Sequence, residues 1–260
     1  MKRFLLDLKK YYRYAFRLSK AELTEEVSES YLNWLWWIIH PLMMMLIYVF
    51  VFTVVFKSKE IYYTVFIFLG LAEWDFFNRM LNESVNMIRS NRNIILKIYI
   101  PKFILLLSKS FTFLFKFFIS MGITIVLMIL FNIPFTLTIL YIFLLLPIFY
   151  MITFGIGCIL IHLGVYIDDL KKVIEILLRL LFYLSGVFYS ISERLHGILS
   201  YVLLNCNPIA FFMDEFRKCM LYNQHPDFIL LFIWFIIGLF IFIFGIRTIY
   251  KYENGYAKVI

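Results

Sequence analysis

From residue 32 to residue 56 the chain reads LNWLWWIIHPLMMMLIYVFVFTVVF, twenty-five positions without a carboxylate, an ammonium or a guanidinium. As a helix this run covers about 37 Å, more than the roughly 30 Å hydrocarbon core of a bilayer. Five further apolar stretches follow, at 62–81, 104–131, 135–165, 173–191 and 228–250, with a tight turn around Asn132 and Pro134 joining 104–131 to 135–165. Composition agrees with that pattern. The chain is 63% hydrophobic and 16% charged, where a soluble domain uses about 45–50% and about 25%. The bilayer must therefore be the solvent for most of the surface. The fold expected is an all-α integral membrane protein with six transmembrane helices, forming one domain over residues 1–260.

The connecting segments orient the spans. With the N-terminus cytoplasmic, 17 of the 25 Lys and Arg residues fall in inside segments and 5 in outside ones. The positive-inside rule therefore puts both termini in the cytoplasm. The first thirty residues are too charged, and the first apolar run too long, for a cleavable signal, so the first span is expected to stay as an anchor.

Three segments are not spans. Residues 1–31 carry Phe4, Leu5, Leu8, Tyr11, Tyr12, Ala15, Phe16 and Leu18 on one half of a helix, with most of their Lys and Arg on the other. This is a basic amphipathic helix suited to the inner interface. The loop 88–102 contains NIILKIYI, a short apolar helix rimmed by Arg92 and Lys97. Such a patch either docks another protein or packs under the bundle. Segment 192–227 holds two apolar stretches too short to span, broken at Asn207–Pro208. That pattern suits two re-entrant helices, the second with Asn207 as its cap and Pro208 in its first turn.

Soluble-enzyme chemistry is missing. There is no G-x-x-x-x-G-K-[ST] and no G-x-S-x-G, which excludes nucleotide hydrolysis by a P-loop in this chain and a serine elbow. His40, His162, His196 and His225 have no metal-ligand spacing. Cys206 and Cys219 both fall outside, but their separation fixes no disulfide geometry. Gly155-Ile156-Gly157, inside the fourth span, reads as close helix packing. Asp168-Asp169 reads first as a helix-end charge pair, with metal binding as the alternative.

Glu73 and Lys116 both reach mid-membrane depth. An intramembrane charge needs a partner or water, so they either pair with each other or form a polar lining. Glu175 and Arg179 are expected to pair at i, i+4. Aromatics are in surplus at 21%. Trp34 and Trp37 share a face with Pro41, while Trp36 shares one with His40. Such residues are either interfacial belts or surfaces for stacking on sugar rings.

The order of the pieces resembles the membrane subunit of ABC-2 type exporters, in the branch that exports lipid-linked cell-surface polysaccharides (O-antigen, capsule or teichoic acid). The residues that carry the resemblance are LWWIIHPL entering span one, FLGLAEWDFF, SNRNIILKIYIPKF, VYIDDL, FYLSGVFYS and NCNPIAFFMDEFR. It implies a homodimer docked on two copies of a separate ABC ATPase, which binds the ATP and Mg. It implies no metal or cofactor in this chain and no nucleic-acid partner. The cargo implied is a glycan on a polyprenyl diphosphate type lipid, and the location is the bacterial cytoplasmic (inner) membrane. Asn91, Arg92, Ile94, Ile95, Lys97 and Ile98 would form the coupling helix against the ATPase. Segment 192–227 would be the outer gate helices. Trp34, Trp37, Trp74, Tyr183, Phe188 and Tyr189 would line the sugar channel, whereas Trp36, beside His40, is expected to be a plain interfacial anchor. Two rival readings are an ABC-2 exporter of drugs or small lipids, and an integral membrane acyl- or glycosyltransferase centred on Asp168-Asp169.

Overall fold

A computed structural model describes residues 2–28, 31–55, 60–191 and 197–259, and every regular element among them is helical. Helix α1 (Lys2–Ser28) lies along α5 (Lys102–Leu130). The broad apolar arc of α1 divides. Phe4, Leu8, Tyr11, Tyr14, Ala15 and Leu18 pack on the core, whereas Leu5, Tyr12 and Phe16 stay exposed. The exposed edge is the part left for a membrane interface. The first span is composite: a 3-10 turn (Asn33–Leu35), α2 (Trp36–Phe50) and a π turn (Val51–Val55).

The second stretch is not confined to 62–81. Helix α3 (Tyr63–Ser90) runs on unbroken for 28 residues, until Asn91 leaves helical geometry. The short helix α4 (Arg92–Lys97) follows, where NIILK stands in the sequence. α5 ends in a close turn. Asn132 adopts φ +53, Asn132 N–H donates to the Ile129 carbonyl and Ile133 N–H to the Met128 carbonyl. Asparagine tolerates that left-handed position, and the two bonds satisfy carbonyls the helix end would leave open.

Helix α6 (Ile142–Tyr166), led by a 3-10 turn (Leu137–Tyr141), is the centre of the bundle. It packs on α3 and on the terminal helix α10 (Phe228–Val259). A Cβ on Gly155 would sit 2.7 Å from Phe242 N, and one on Gly245 would sit 2.5 Å from the Gly155 carbonyl oxygen. The backbones therefore touch, which is the close packing the glycine pair suggests. Lower on α6, Gly164 abuts the Val85 carbonyl of α3.

Helix α7 (Leu170–Leu184) is shorter than the expected 173–191 span. After it, Gly186 turns at φ +69, and Tyr63 OH donates to the Phe188 carbonyl at 2.9 Å. Helices α8 (Ile198–Cys206) and α9 (Pro208–Met220) form a short pair split at Asn207–Pro208. The Asn207 side chain accepts from Ile209 N–H, as its capping position predicts. Residues 192–196, expected to begin this gate segment, lie outside the described residues.

Arg217 of α9 is buried and staples this end together. Its guanidinium donates to the Gly186, Val187 and Phe66 carbonyls at 2.8, 3.0 and 3.4 Å. It also lies 3.5 Å above the Phe66 ring. Gly70 leaves it the space, because any Cβ there would strike the guanidinium.

Among the described residues, four helical stretches are long and apolar enough to cross a membrane: Asn33–Val55, Lys102–Leu130, Leu137–Tyr166 and Phe228–Tyr256. α3 has the length but carries Glu73, Asp75, Arg79 and Glu83. α7, at 15 residues, covers only about 22 Å.

Candidate functional site

A cavity of about 640 Å³ opens between α1, α2, α3, α5 and α7. One part of its wall is Trp36, Trp37, Tyr48, Phe68, Trp74 and Phe182. The other is Glu26, His40, Asp75, Arg79, Lys116 and Ser120. Trp37, Pro41, Met44 and Tyr48 all line it, because steps of four, three and four keep them on one face of α2. The Trp37 ring is braced edge-on by Phe115 at 5.3 Å. Trp74 lies 5.1 Å from Phe182, joining α3 to α7.

The charges of the wall are paired inside the chain. Lys116 Nζ lies 2.6 Å from Glu26 Oε2, and Arg79 Nε donates to both Asp75 oxygens at 2.8 Å. The cavity thus presents flat aromatic faces beside fixed hydrogen-bonding groups with little net charge. Aromatic faces pack on C–H surfaces, and the polar groups supply donors and acceptors for hydroxyls.

The Glu73–Lys116 pair is not formed. Lys116 turns to Glu26 on α1. Glu73 is fully buried, with no hydrogen bond to either oxygen among the described residues, and the charge acting on it is Arg217. Glu73 stands about 200° around α3 from Asp75, so it is turned away from the cavity that Asp75 and Lys116 line. The Glu175–Arg179 pair is likewise replaced, by Lys171–Glu175 at 4.0 Å. Of the aromatic residues expected to form one wall, Trp37 and Trp74 reach the cavity. Trp34 instead lines a separate groove of about 590 Å³ between α1 and α5, which Trp37 also touches. Trp36, expected to be an interfacial anchor beside His40, lies on the main cavity with it. Phe188 is buried and stacked on Phe52 at 4.4 Å. Tyr183 is exposed, and Tyr189 OH donates to its carbonyl. Glu26, Asp75, Arg79, Tyr48 and Phe182 were not among the candidates. The i, i+4 spacing of Asp75 and Arg79 inside an apolar stretch was the signal that could have found two of them.

On the side carrying both chain ends, α4 has its own surface. Ile95 is buried and Ile94 half-buried against the bundle, so these two hold the helix in place. Leu96, Ile98 and Tyr99 are the exposed apolar residues, flanked by Asn91, Arg92 and Lys97. Tyr99 OH and Arg3 both bond Glu253 Oε1, at 3.0 and 2.6 Å, and Arg3 also donates to Tyr99. The loop is thereby tied to the start of α1 and the end of α10. Burial pushes the Tyr99 phenol pKa up, and Glu253 adds to the shift.

Asp168 accepts from Arg89 and Asp169 from Lys172, so the acidic pair serves as helix-end partners. No group of three or more metal-ligating side chains occurs among the described residues. Cys158, Cys206 and Cys219 are free thiols, Cys206 exposed and the other two buried.

No family model matches the chain. Over 247 residues, 94% of this chain and 93% of the relative, it is 24% identical to the O-antigen export system permease protein RfbA of Klebsiella pneumoniae. A second Klebsiella pneumoniae protein of that name is 25% identical over the same shares. The protein of that name from Myxococcus xanthus is 26% identical over 227 residues, 87% of each chain. The chain is thus similar, over about nine tenths of its length, to proteins named as export permeases.

Proposed function

We propose that this chain, related along nearly its whole length to O-antigen export permeases, is the transmembrane subunit of an ABC exporter for a lipid-linked cell-surface glycan. The observation that carries the reading is the cavity, where Trp36, Trp37 and Trp74 stand beside the Lys116–Glu26 and Arg79–Asp75 pairs. A small apolar cargo needs no such polar wall, and a sugar chain uses both halves of it.

In this reading α3 and α7 join the four long apolar helices to make six spans in the cytoplasmic membrane, with both termini inside. Two copies pair through the sparsely packed α2 and α7. Each copy sits on an ATPase subunit that binds ATP and Mg. The ATPase grips Leu96, Ile98 and Tyr99, with Arg92 and Lys97 at the rim. Its movement passes through the Arg3–Tyr99–Glu253 cluster to α1 and α10 at once. Helices α8 and α9 close the far end, and the carrier lipid, of polyprenyl diphosphate type, stays in the bilayer beside α2.

The test is complementation in a strain lacking its own permease, with the cognate ATPase present. Wild-type chain should restore surface glycan, and Trp37→Ala should lower it while membrane insertion stays intact. Glycan retained inside the cell with wild-type chain and an active ATPase would overturn the reading.

A further inference from the structure

We infer that the groove between α1 and α5 is a binding site for an anionic glycerophospholipid of the surrounding bilayer, with one acyl chain in the groove and the phosphate on the basic face of α1. Such a site needs only that the chain is embedded in a membrane, and it goes beyond the export reading.

The charges of α1 are segregated. At 3.6 residues per turn, Lys9, Arg13, Arg17 and Lys20 fall within an arc of about 80°. Asp7, Glu22, Glu25 and Glu26 fall within an arc of about 100° on the opposite side. The acidic side is tied to the bundle. Asp7 accepts from Tyr250 OH at 2.8 Å, and Glu22 and Glu26 pair with Lys109 and Lys116 of α5 at 3.3 and 2.6 Å. The four cations of the basic side are all exposed, and none makes an ion pair among the described residues. Arg13 donates to the neighbouring Tyr12 hydroxyl.

The groove, of about 590 Å³, adjoins this basic face. Phe16, Leu23 and Val27 line it from α1, Trp34 from the start of the first span, and Phe111 and Phe115 from α5. Around the axis of α1 those three apolar residues border the arc of cations directly. Lys20 lines the groove itself, and no carboxylate does among the described residues. Phe16, Trp34 and Phe115 are exposed, so the groove is open to the bilayer.

The occupant follows from the pairing of these two surfaces. An unpaired basic row attracts anionic headgroups, and guanidinium and ammonium groups hold phosphate by charge-assisted hydrogen bonds. The apolar wall beside it suits an acyl chain. A glycerophospholipid carries both parts a short distance apart. Trp37 gives an independent indication. Its indole lines the groove and the large cavity alike, and its N–H is buried with no acceptor among the described residues. The glycerol ester carbonyls, next to the phosphate, are acceptors of the kind it lacks. A lipid in the groove thus backs the aromatic wall of the cavity from its far side. A polyprenyl carrier seated here would hold its glycan on the wrong side of that ring.

The experiment uses the purified transporter, permease with its ATPase, and measures bound lipid by native mass spectrometry. The probes are phosphatidylglycerol and phosphatidylcholine with the same oleoyl chains. Phosphatidylglycerol should bind about tenfold tighter or more, as two cations beside a phosphate supply. Equal binding overturns the site. Arg17→Gln with Lys20→Gln replaces two exposed side chains by others that favour a helix, and it should abolish that preference. Wild-type selectivity in this variant overturns the phosphate contact. Thr24→Trp, at an exposed lining position, fills the groove without changing charge, and it should weaken phosphatidylglycerol to a similar degree. Wild-type binding by Thr24→Trp overturns the place of the chain. Displacement of the bound lipid by equimolar polyprenyl diphosphate overturns the choice of occupant. Binding is the readout, so these outcomes stand whether or not the protein exports glycan.

Discussion

The first span and α6 are equally apolar, yet only Met45 is buried among the described residues of the first span, whereas 13 of the 25 residues of α6 are buried. Hydropathy therefore states that a segment belongs in a membrane and says nothing about what it touches there. The glycines make the difference. Gly155 and Gly164 let α6 approach its neighbours to backbone contact, and Gly157 makes room for the Ser84 and Leu106 side chains, where dispersion over a close-fitting surface is the force available between helices in lipid. The first span has no glycine. Only Met45 of α2 is buried, and its bulky side chains hold it off as a wall beside the cavity. α6 with its neighbours is frame, and the first span is lining.

The largest effect should come from the frame. Gly164→Leu would drive a side chain into the Val85 carbonyl at a cost of about 3 kcal/mol or more. Monodisperse protein should be lost on size-exclusion chromatography. Ile47→Ala on the exposed face of α2 should change stability by no more than about 0.5 kcal/mol. Similar losses from both would dissolve the distinction.

Next comes the staple. Arg217→Met removes donors from three carbonyls and leaves Glu73 buried without a neighbouring cation. Removing one side of such a contact costs about 3–5 kcal/mol. Thermal unfolding in detergent should report it, and adding Glu73→Gln should recover part of the loss. No recovery would mean that the carbonyl bonds alone matter.

At α4 the inward and outward residues should separate. Ile95→Asp buries a carboxylate and should lower the yield of folded chain. Leu96→Asp with Ile98→Asp should fold normally and lose ATP-driven export. If the outward pair exported normally and Ile95→Asp did not fold, α4 would be packing alone. The smallest change is expected in the wall. Lys116→Met breaks a half-exposed pair with Glu26, worth up to about 1 kcal/mol. Melting temperature should barely move.

Much of the architecture was legible in the residues because its signals are local. Apolar runs, the Asn132 turn, the cap at Asn207 ahead of Pro208 and the short α4 each depend on a few neighbouring positions. The membrane as solvent, the all-helical fold and the breaks at Asn132, at Asn207 and around α4 were therefore determined by the sequence itself. What covers each helix was not. Glu73 and Lys116 sit at similar depth, but whether they meet depends on how α3 and α5 are rotated about their own axes. Packing sets that rotation, by glycine contacts on α6 and by Arg217 across α9. A turn of about 100° separates one residue from the next, so a modest difference in rotation sends Lys116 to Glu26, brings Trp36 onto the cavity and buries Ile95. Only the tertiary structure decides those partners.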